Sequence, residues 1–319
     1  MKEFFFEETV KTVDDFRKNK GTGIKFALLS DTKLCDTVDD TIENIKNVDS
    51  NINFDFIIHM GNFINGNNPK DISMMLLNSE FNKFRNAVGS KRFYPVQGKT
   101  DGYRDERFCG QLALNIMTDR LWNKQLGFFK EYDNISRPDD KPYYYVDYAE
   151  QKVRIVVLCA YSYQIDESIG YFDKYCGIDA QQAVWLKNDA LNPKEKRTVI
   201  IFSNAIPKSR FEIGEDPFIY NGYSTEPVLS IIQQAKERGT DIACWFSGGY
   251  GYDCTEEIAG INFAVINSQI PTVKCNKDKN ERRRETKNQD CWDAVVLNTE
   301  ERKIKLFRFG CGEDRVITY

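Results

Sequence analysis

One histidine, His59, stands in 319 residues. Its isolation excludes any centre built on two or more imidazoles, which covers His-rich zinc sites and most binuclear hydrolases. Cysteine is present but unpatterned: there are nine, an odd number, and no Cys-x-x-Cys pair. A zinc ribbon or a thioredoxin-type redox site is therefore not expected, and the thiols read as buried or inert. No run reaches the ~18 consecutive apolar residues of a membrane span. Phe4-Phe5-Phe6 is flanked by Glu3, Glu7 and Glu8 rather than by the cationic residues of an export signal. A cytoplasmic protein without membrane contact is expected. A surplus of positive charge is missing as well: Lys+Arg 44 against Asp+Glu 48 leaves −4, which speaks against nucleic acid as a partner. Linkers rich in Pro, Gly or Ser and internal repeats are absent, and 41% hydrophobic with 29% charged residues is a folded composition. One domain over residues 1–319 is expected.

Hydrophobic spacing divides the chain into strand-length runs and helical stretches. Residues 7–20 carry Val10, Val13 and Phe16 at helical spacing and end at Gly21-Thr22-Gly23, which predicts an N-terminal helix within residues 1–23. Residues 24–29, 54–60 and 93–96 read as three buried strands, each running into a polar turn. Residues 105–140 read as an insertion over the sheet ends, and residues 143–147 and 153–158 as a hairpin pair. Further strands are predicted at 198–202 and 242–246, separated by a helix that carries Pro227 near its start and stops at Gly239. Beyond Gly251 the pattern turns β-rich, with runs at 261–266, 292–297 and 304–309 and a charged loop at 274–287. Strand ends that empty into polar turns are where open α/β sheets place functional residues.

Five such ends line up in chain order: Asp31-Thr32-Lys33, Gly61-Asn62, Gly98-Lys99-Thr100-Asp101, Ser203-Asn204 and Gly248-Gly249-Tyr250-Gly251. Their order and setting resemble the calcineurin-like metallophosphoesterase superfamily over residues 24–319. That family carries Asp-x-His after its first strand, Gly-Asp after the second, Gly-Asn-His-Asp/Glu after the third, a later His, and Gly-His-x-His near the end. The resemblance implies an α/β fold, a sandwich of two mixed β-sheets flanked by helices. It also implies a reaction centre in which two metal ions, bridged by the Gly-Asp aspartate, polarise a phosphoryl group and activate a hydroxide.

The ligands that such chemistry needs are mostly replaced. Asp31 keeps the family's ligand type, but Lys33 stands at a His position, Asn62 at the bridging Asp and Lys99 at the Asn. Asn204, Gly249 and Gly251 stand at three further His positions. Thr100 replaces the His that in the family helps protonate the leaving group, while Asp101, that residue's orienting partner, remains. His59 falls at a position that is no ligand in the pattern and reads as a packed core histidine. Ser30, Ser203 and Ser247 have no His placed to activate them, so a serine triad fails.

A protonated lysine is a cation that needs no cofactor, so Lys33 and Lys99 are expected to neutralise Asp31 and offset the charge lost with the ions. The expected function is a catalytically inactive pseudoenzyme, a binding or scaffolding module with no metal and no cofactor, in which Asp31, Asn62, Thr100 and Asp101 form a vestigial site. Either that pocket is filled and inert, or Asp31, Lys33, Asn62, Lys99, Asn204, Gly249 and Gly251 form an anion site, assisted by backbone N–H groups around Gly98 and Gly248 to Gly251. The ligand is then a phosphorylated small molecule, or the partner a protein docked on residues 105–140 and 274–287. The alternative is a metal-dependent phosphoesterase with a reduced site, one Mn or Mg ion held by Asp31, Asp101 and the Asn62 and Asn204 oxygens.

Overall fold

Strands covered on both faces need no alternation of apolar and polar side chains, and the apolar runs of this chain fold in that way. The computed structural model describes residues 2–18, 23–87, 92–102, 118–139, 141–166, 171–176, 178–205, 226–249, 251–270 and 282–319. After α1 (Glu3–Lys18), the strands β1 (Ile24–Leu29), β2 (Phe56–His59) and β3 (Arg92–Pro95) run parallel, connected by α2 (Val38–Ile52) and α3 (Lys70–Ala87). The chain continues through the single turn α4 (Lys99–Gly102), α5 (Asp119–Gln125), a 3-10 helix at Leu126–Glu131, and β4 (Ile135–Ser136), β5 (Tyr144–Tyr148) and β6 (Val153–Val157). A hairpin of β7 (Tyr161–Asp166) and β8 (Tyr171–Cys176) precedes α6 (Ala180–Trp185), which widens into a π turn at Leu186–Ala190. Then come β9 (Thr198–Ser203), α7 (Glu226–Glu237), β10 (Asp241–Ser247), β11 (Cys254–Ile258), β12 (Ile261–Val265), β13 (Cys291–Asn298), β14 (Lys303–Gly310) and β15 (Arg315–Thr318).

Two mixed sheets form the sandwich expected from the sequence. The first has the order β15-β14-β13-β1-β2-β3 and the second β11-β12-β10-β9-β6-β5-β4. Between them lies an aromatic core: Phe26 on β1 meets Phe202 on β9 edge-on at 6.0 Å, and Phe202 stacks on Phe246 of β10 at 5.4 Å. Helices α1, α2 and α3 cover the outer face of the first sheet, while Trp185, Leu186, Ile232 and Ala235 cover the outer face of the second. Each central strand is thus buried on both sides, which is why β1 and β9 carry no polar face.

The N-terminal helix begins at Glu3, four residues ahead of its expected start, because Phe5 is buried against Phe309 of β14 at 5.9 Å. The described part of the 105–140 segment carries core residues, Trp122 and Phe129, and Tyr132 accepts a hydrogen bond from the Phe93 amide on the edge strand β3. Residues 105–117 and 140 of that segment lie outside the described residues. Sequence patterning missed the two-residue β4, the β7–β8 hairpin and the short α6, and also β11, whose Cys-Thr-Glu-Glu-Ile is mostly polar, and β15, a short edge strand. No helix among the described residues is long and apolar enough to cross a membrane.

Candidate functional site

The carboxyl ends of β1, β2, β3, β9 and β10 meet at one rim of the sandwich, and the five polar turns meet there with them. The turn after β1 is laid along the turn after β2: Asp31 N donates to Gly61 O at 3.0 Å, Lys33 N to Asn62 O at 2.9 Å and Leu34 N to Phe63 O at 3.0 Å. That path forces Asp31, Lys33, Leu34 and Asn62 to positive φ, between 42° and 61°, a region few non-glycine residues adopt. Strain of this kind persists only where surrounding contacts over-determine it. Glycine is required at Gly98 and Gly248, where a Cβ would collide with the Asn62 amide nitrogen and with Ser30 Oγ.

Asp31 is 1% exposed, and both of its oxygens are taken by protein donors. Oδ1 accepts from the Asn62 side-chain amide at 2.6 Å and lies 3.5 Å from the Lys33 ammonium. Oδ2 accepts from Ser30 Oγ and from the Gly249 backbone N–H, each at 2.9 Å. The orientation of the Asn62 amide is fixed from both ends. Its other atom, Oδ1, accepts from the Thr100 N–H at 2.9 Å, so the NH2 group must face Asp31. Asn204 is fixed in the same way, with Nδ2 donating to Met60 O at 2.6 Å and Oδ1 accepting from Lys99 N at 3.3 Å.

Beneath this layer Asp101 gathers four backbone donors, the amides of Asn62 at 2.8 Å, Phe63 at 2.6 Å, Ile64 at 3.2 Å and Gly98 at 2.9 Å. Burial pushes its carboxyl up to about 7, against the pull of those amides. Asp101 therefore orients the Asn62 turn itself. The amides of Gly98 and Gly249, expected to serve an anion, are engaged by Asp101 and Asp31.

His59 packs parallel to Phe63 with ring centroids 3.8 Å apart. Its Nδ1 accepts from the Gly61 N–H at 3.1 Å, so the ring proton sits on Nε2 and donates to Thr32 Oγ1 at 3.1 Å. Burial holds its pKa well below 6.5. The folded state thus refuses a proton that the unfolded chain accepts, and this contribution to stability is present above the unfolded pKa and is lost as pH falls below about 6.5. As the sole histidine it gives an unambiguous readout: the His59 imidazole carbon-bound protons are expected not to titrate between pH 8 and 5.5 by NMR. A titration near 6.5 would place His59 outside the core.

Direct hydrogen bonds or ion pairs thus join Asp31, Lys33, Asn62, Thr100, Asp101, Asn204, Gly249 and the backbone of Lys99. Among the described residues no hydrogen bond joins Gly251 to them, and Tyr250 lies outside those residues. Sequence reasoning missed Ser30 as a donor to Asp31 and the Met60 carbonyl as the anchor of Asn204. The only available signal was the serine directly before Asp31. Of the charged 274–287 loop, residues 274–281 lie outside the described residues, and the Arg282 guanidinium donates to the carbonyls of Ser268, Gln269, Ile270 and Gln289.

Comparison with known proteins now decides the family. The profile of the calcineurin-like phosphoesterases matches residues 24–248, which hold all five strand ends up to the first residue of the last motif. The chain belongs to the calcineurin-like phosphoesterase family. Its fold is similar to that of a dimetal phosphatase from Danio rerio, with TM-score 0.60, 16% identity, and 93% of this chain and 99% of that one covered. It is also similar to a purple acid phosphatase from yellow lupin (Lupinus luteus) seeds, with TM-score 0.57, 10% identity, and 94% and 54% covered. A search of curated proteins returns no match.

The two-metal centre of the family does not fit the residues present. Asp31 has no oxygen left without a protein donor, Asn62 and Asn204 turn N–H groups toward their neighbours, and an ammonium lies 3.5 Å from Asp31, the one carboxylate kept at a ligand position. Among the described residues no three His, Cys, Asp or Glu side chains come together as a metal site. Hard divalent cations need several oxygen lone pairs converging on one point, and this donor set offers hydrogens instead.

Proposed function

We propose that this chain is a non-hydrolytic member of its family, a binding or scaffolding module whose old reaction centre takes an oxyanion, the end of a phosphorylated small molecule or protein, without a metal. The observation that carries this reading is the Asn62 amide at the bridging position, donating to Asp31 at 2.6 Å. A bridging ligand must offer lone pairs to two ions, and this group offers a hydrogen. Lys33, whose side chain is 26% exposed at the rim and held loosely at 3.5 Å from Asp31, is the group that meets the ligand. An ammonium is a point-charge phosphate binder with three rotatable donors.

Protein expressed with manganese and purified without chelator tests the reading. Metal content by mass spectrometry is expected to be near zero per chain, and hydrolysis of bis-p-nitrophenyl phosphate in millimolar Mn²⁺ is expected at the buffer rate. Inorganic phosphate is expected to bind the wild type in calorimetry and to lose about tenfold in affinity to Lys33→Ala, the loss of one charge-assisted contact. Manganese-dependent hydrolysis that disappears in Asp31→Ala overturns the proposal and establishes the reduced-site phosphoesterase.

A further inference from the structure

A second polar cleft lies away from the old reaction centre, at the start of β6 and β9, with a volume of about 460 Å³. Two guanidinium groups in it share one carboxylate. Arg154 and Arg197, with side chains 5% and 10% exposed, both face Asp147. Arg154 is saturated: it makes a fork to both Asp147 oxygens at 2.8 and 2.7 Å, donates to the π-turn carbonyls of Asp189 and Ala190, and lies 3.8 Å above the Tyr145 ring. Arg197 is not. Its Nε reaches Asp147 only at 3.5 Å, its Nη2 meets Glu195 at 3.0 Å, and its buried Nη1 has no hydrogen-bond partner.

Buried guanidinium donors are almost always paired, because desolvation without a bond is costly. The one carboxylate given fully to Arg197 belongs to Glu195, two residues away, whose side chain is 76% exposed. Glu195 thus stands as a displaceable surface group over a fixed, nearly buried fork. Asn188, Asn192 and Lys194 line the same cleft and add side-chain donors, while Asp189 adds a carboxylate. The turn that supplies Asn188 and Asp189 is a π turn, a feature frequent at functional sites.

We propose that this cleft is a second binding site, which receives the carboxylate or phosphate group of a ligand on the Arg197 fork as Glu195 swings outward. Planar, bidentate recognition of an oxyanion is the task for which Arg is suited and Lys is not. The site is independent of the reading of the Asp31 centre and needs none of its residues.

The test is an NMR titration of the arginine side-chain N–H signals with sodium phosphate and, separately, sodium acetate, in the Lys33→Ala background so that the rim ammonium is absent. Saturable shifts of the Arg197 signals are expected, and the stronger of the two probes identifies the oxyanion. Arg197→Gln is expected to abolish binding, Arg197→Lys to weaken it about tenfold by losing the fork, and Glu195→Gln to strengthen it severalfold by freeing Nη2. Thermal unfolding of each variant guards against loss of fold, and Glu195→Gln, a surface change, keeps the test decisive if Arg197→Gln does not fold. Arg197 signals that move only linearly with either salt, or a Glu195→Gln variant that binds no more tightly than its parent, overturn the proposal.

Discussion

Asp101→Ala is expected to lower the stability of the fold by about 4 kcal/mol in urea unfolding, a larger loss than any other single truncation at the rim. The reasoning is a count of donors. Four backbone N–H groups end on this one carboxyl, three from consecutive residues of the turn after β2 and one from the turn after β3. Asp101 is 1% exposed, so alanine leaves those donors facing each other in a pocket that water enters only in part. Each unpaired buried donor costs about 1–3 kcal/mol, and water entering the vacated volume offsets some of the sum. Asp101→Asn keeps the shape and one acceptor but turns an NH2 group toward two of the amides, so about half the loss is expected. A loss under about 1 kcal/mol for Asp101→Ala would mean that the turn is held by its contact with the β1 turn alone, through the N–H groups of Asp31, Lys33 and Leu34 on the carbonyls of Gly61, Asn62 and Phe63. The functional consequence follows from the same geometry. Lys33, the group that meets the ligand, is tied to this turn by its N–H donating to Asn62 O, so phosphate binding in the variant is expected to weaken along with stability.

How far the sequence announces this arrangement differs from residue to residue. The order of strands and polar turns is legible because the change from a buried apolar run to a Gly- or Asn-bearing turn is abrupt at Leu29-Ser30-Asp31, Met60-Gly61-Asn62 and Phe246-Ser247-Gly248. Five such changes in one order fix which residues share a rim. What those residues do to each other is decided by backbone angles that carry no sequence mark. Asp31, Lys33, Leu34 and Asn62 all adopt positive φ without being glycine, and it is those angles that turn the Asn62 amide toward Asp31 and bring Lys33 alongside. The use of the Gly249 N–H to close Asp31 Oδ2 depends likewise on how closely the β10 turn approaches Ser30. Of the elements that escape notice, β4, β11 and β15 are edge strands, and edges need less apolar surface than the central strands whose runs dominate the pattern, while among the described residues the β7–β8 hairpin pairs only with itself.

Asn62→Asp restores the family's bridging residue by itself, and its expected effect is harm rather than repair. The substitution exchanges a donor for a second carboxylate within 2.6 Å of Asp31 Oδ1, at a site where both residues are at most 3% exposed. Two carboxylates so close cannot both ionise without a cation between them, so one pKa must rise well above the usual carboxylate range. The Lys33 ammonium at 3.5 Å relieves the repulsion only in part, since it already balances one charge. A loss of about 3 kcal/mol at pH 8 is expected, of the size seen when a buried charge lacks its partner. The pH dependence has a definite sign. The folded pair holds a proton that the unfolded carboxyls release near 4, so stability is recovered below that pH and declines as pH rises through the raised folded value. Manganese then separates the two readings of the centre. If Asp31 and its neighbours are sealed by protein donors, millimolar Mn²⁺ leaves the melting temperature of the wild type unchanged and raises that of Asn62→Asp, where lone pairs again converge. A wild-type protein that Mn²⁺ stabilises as much as the variant would show that Asn62 yields its hydrogen bond to an ion, and the family's chemistry would return as the working hypothesis for this chain.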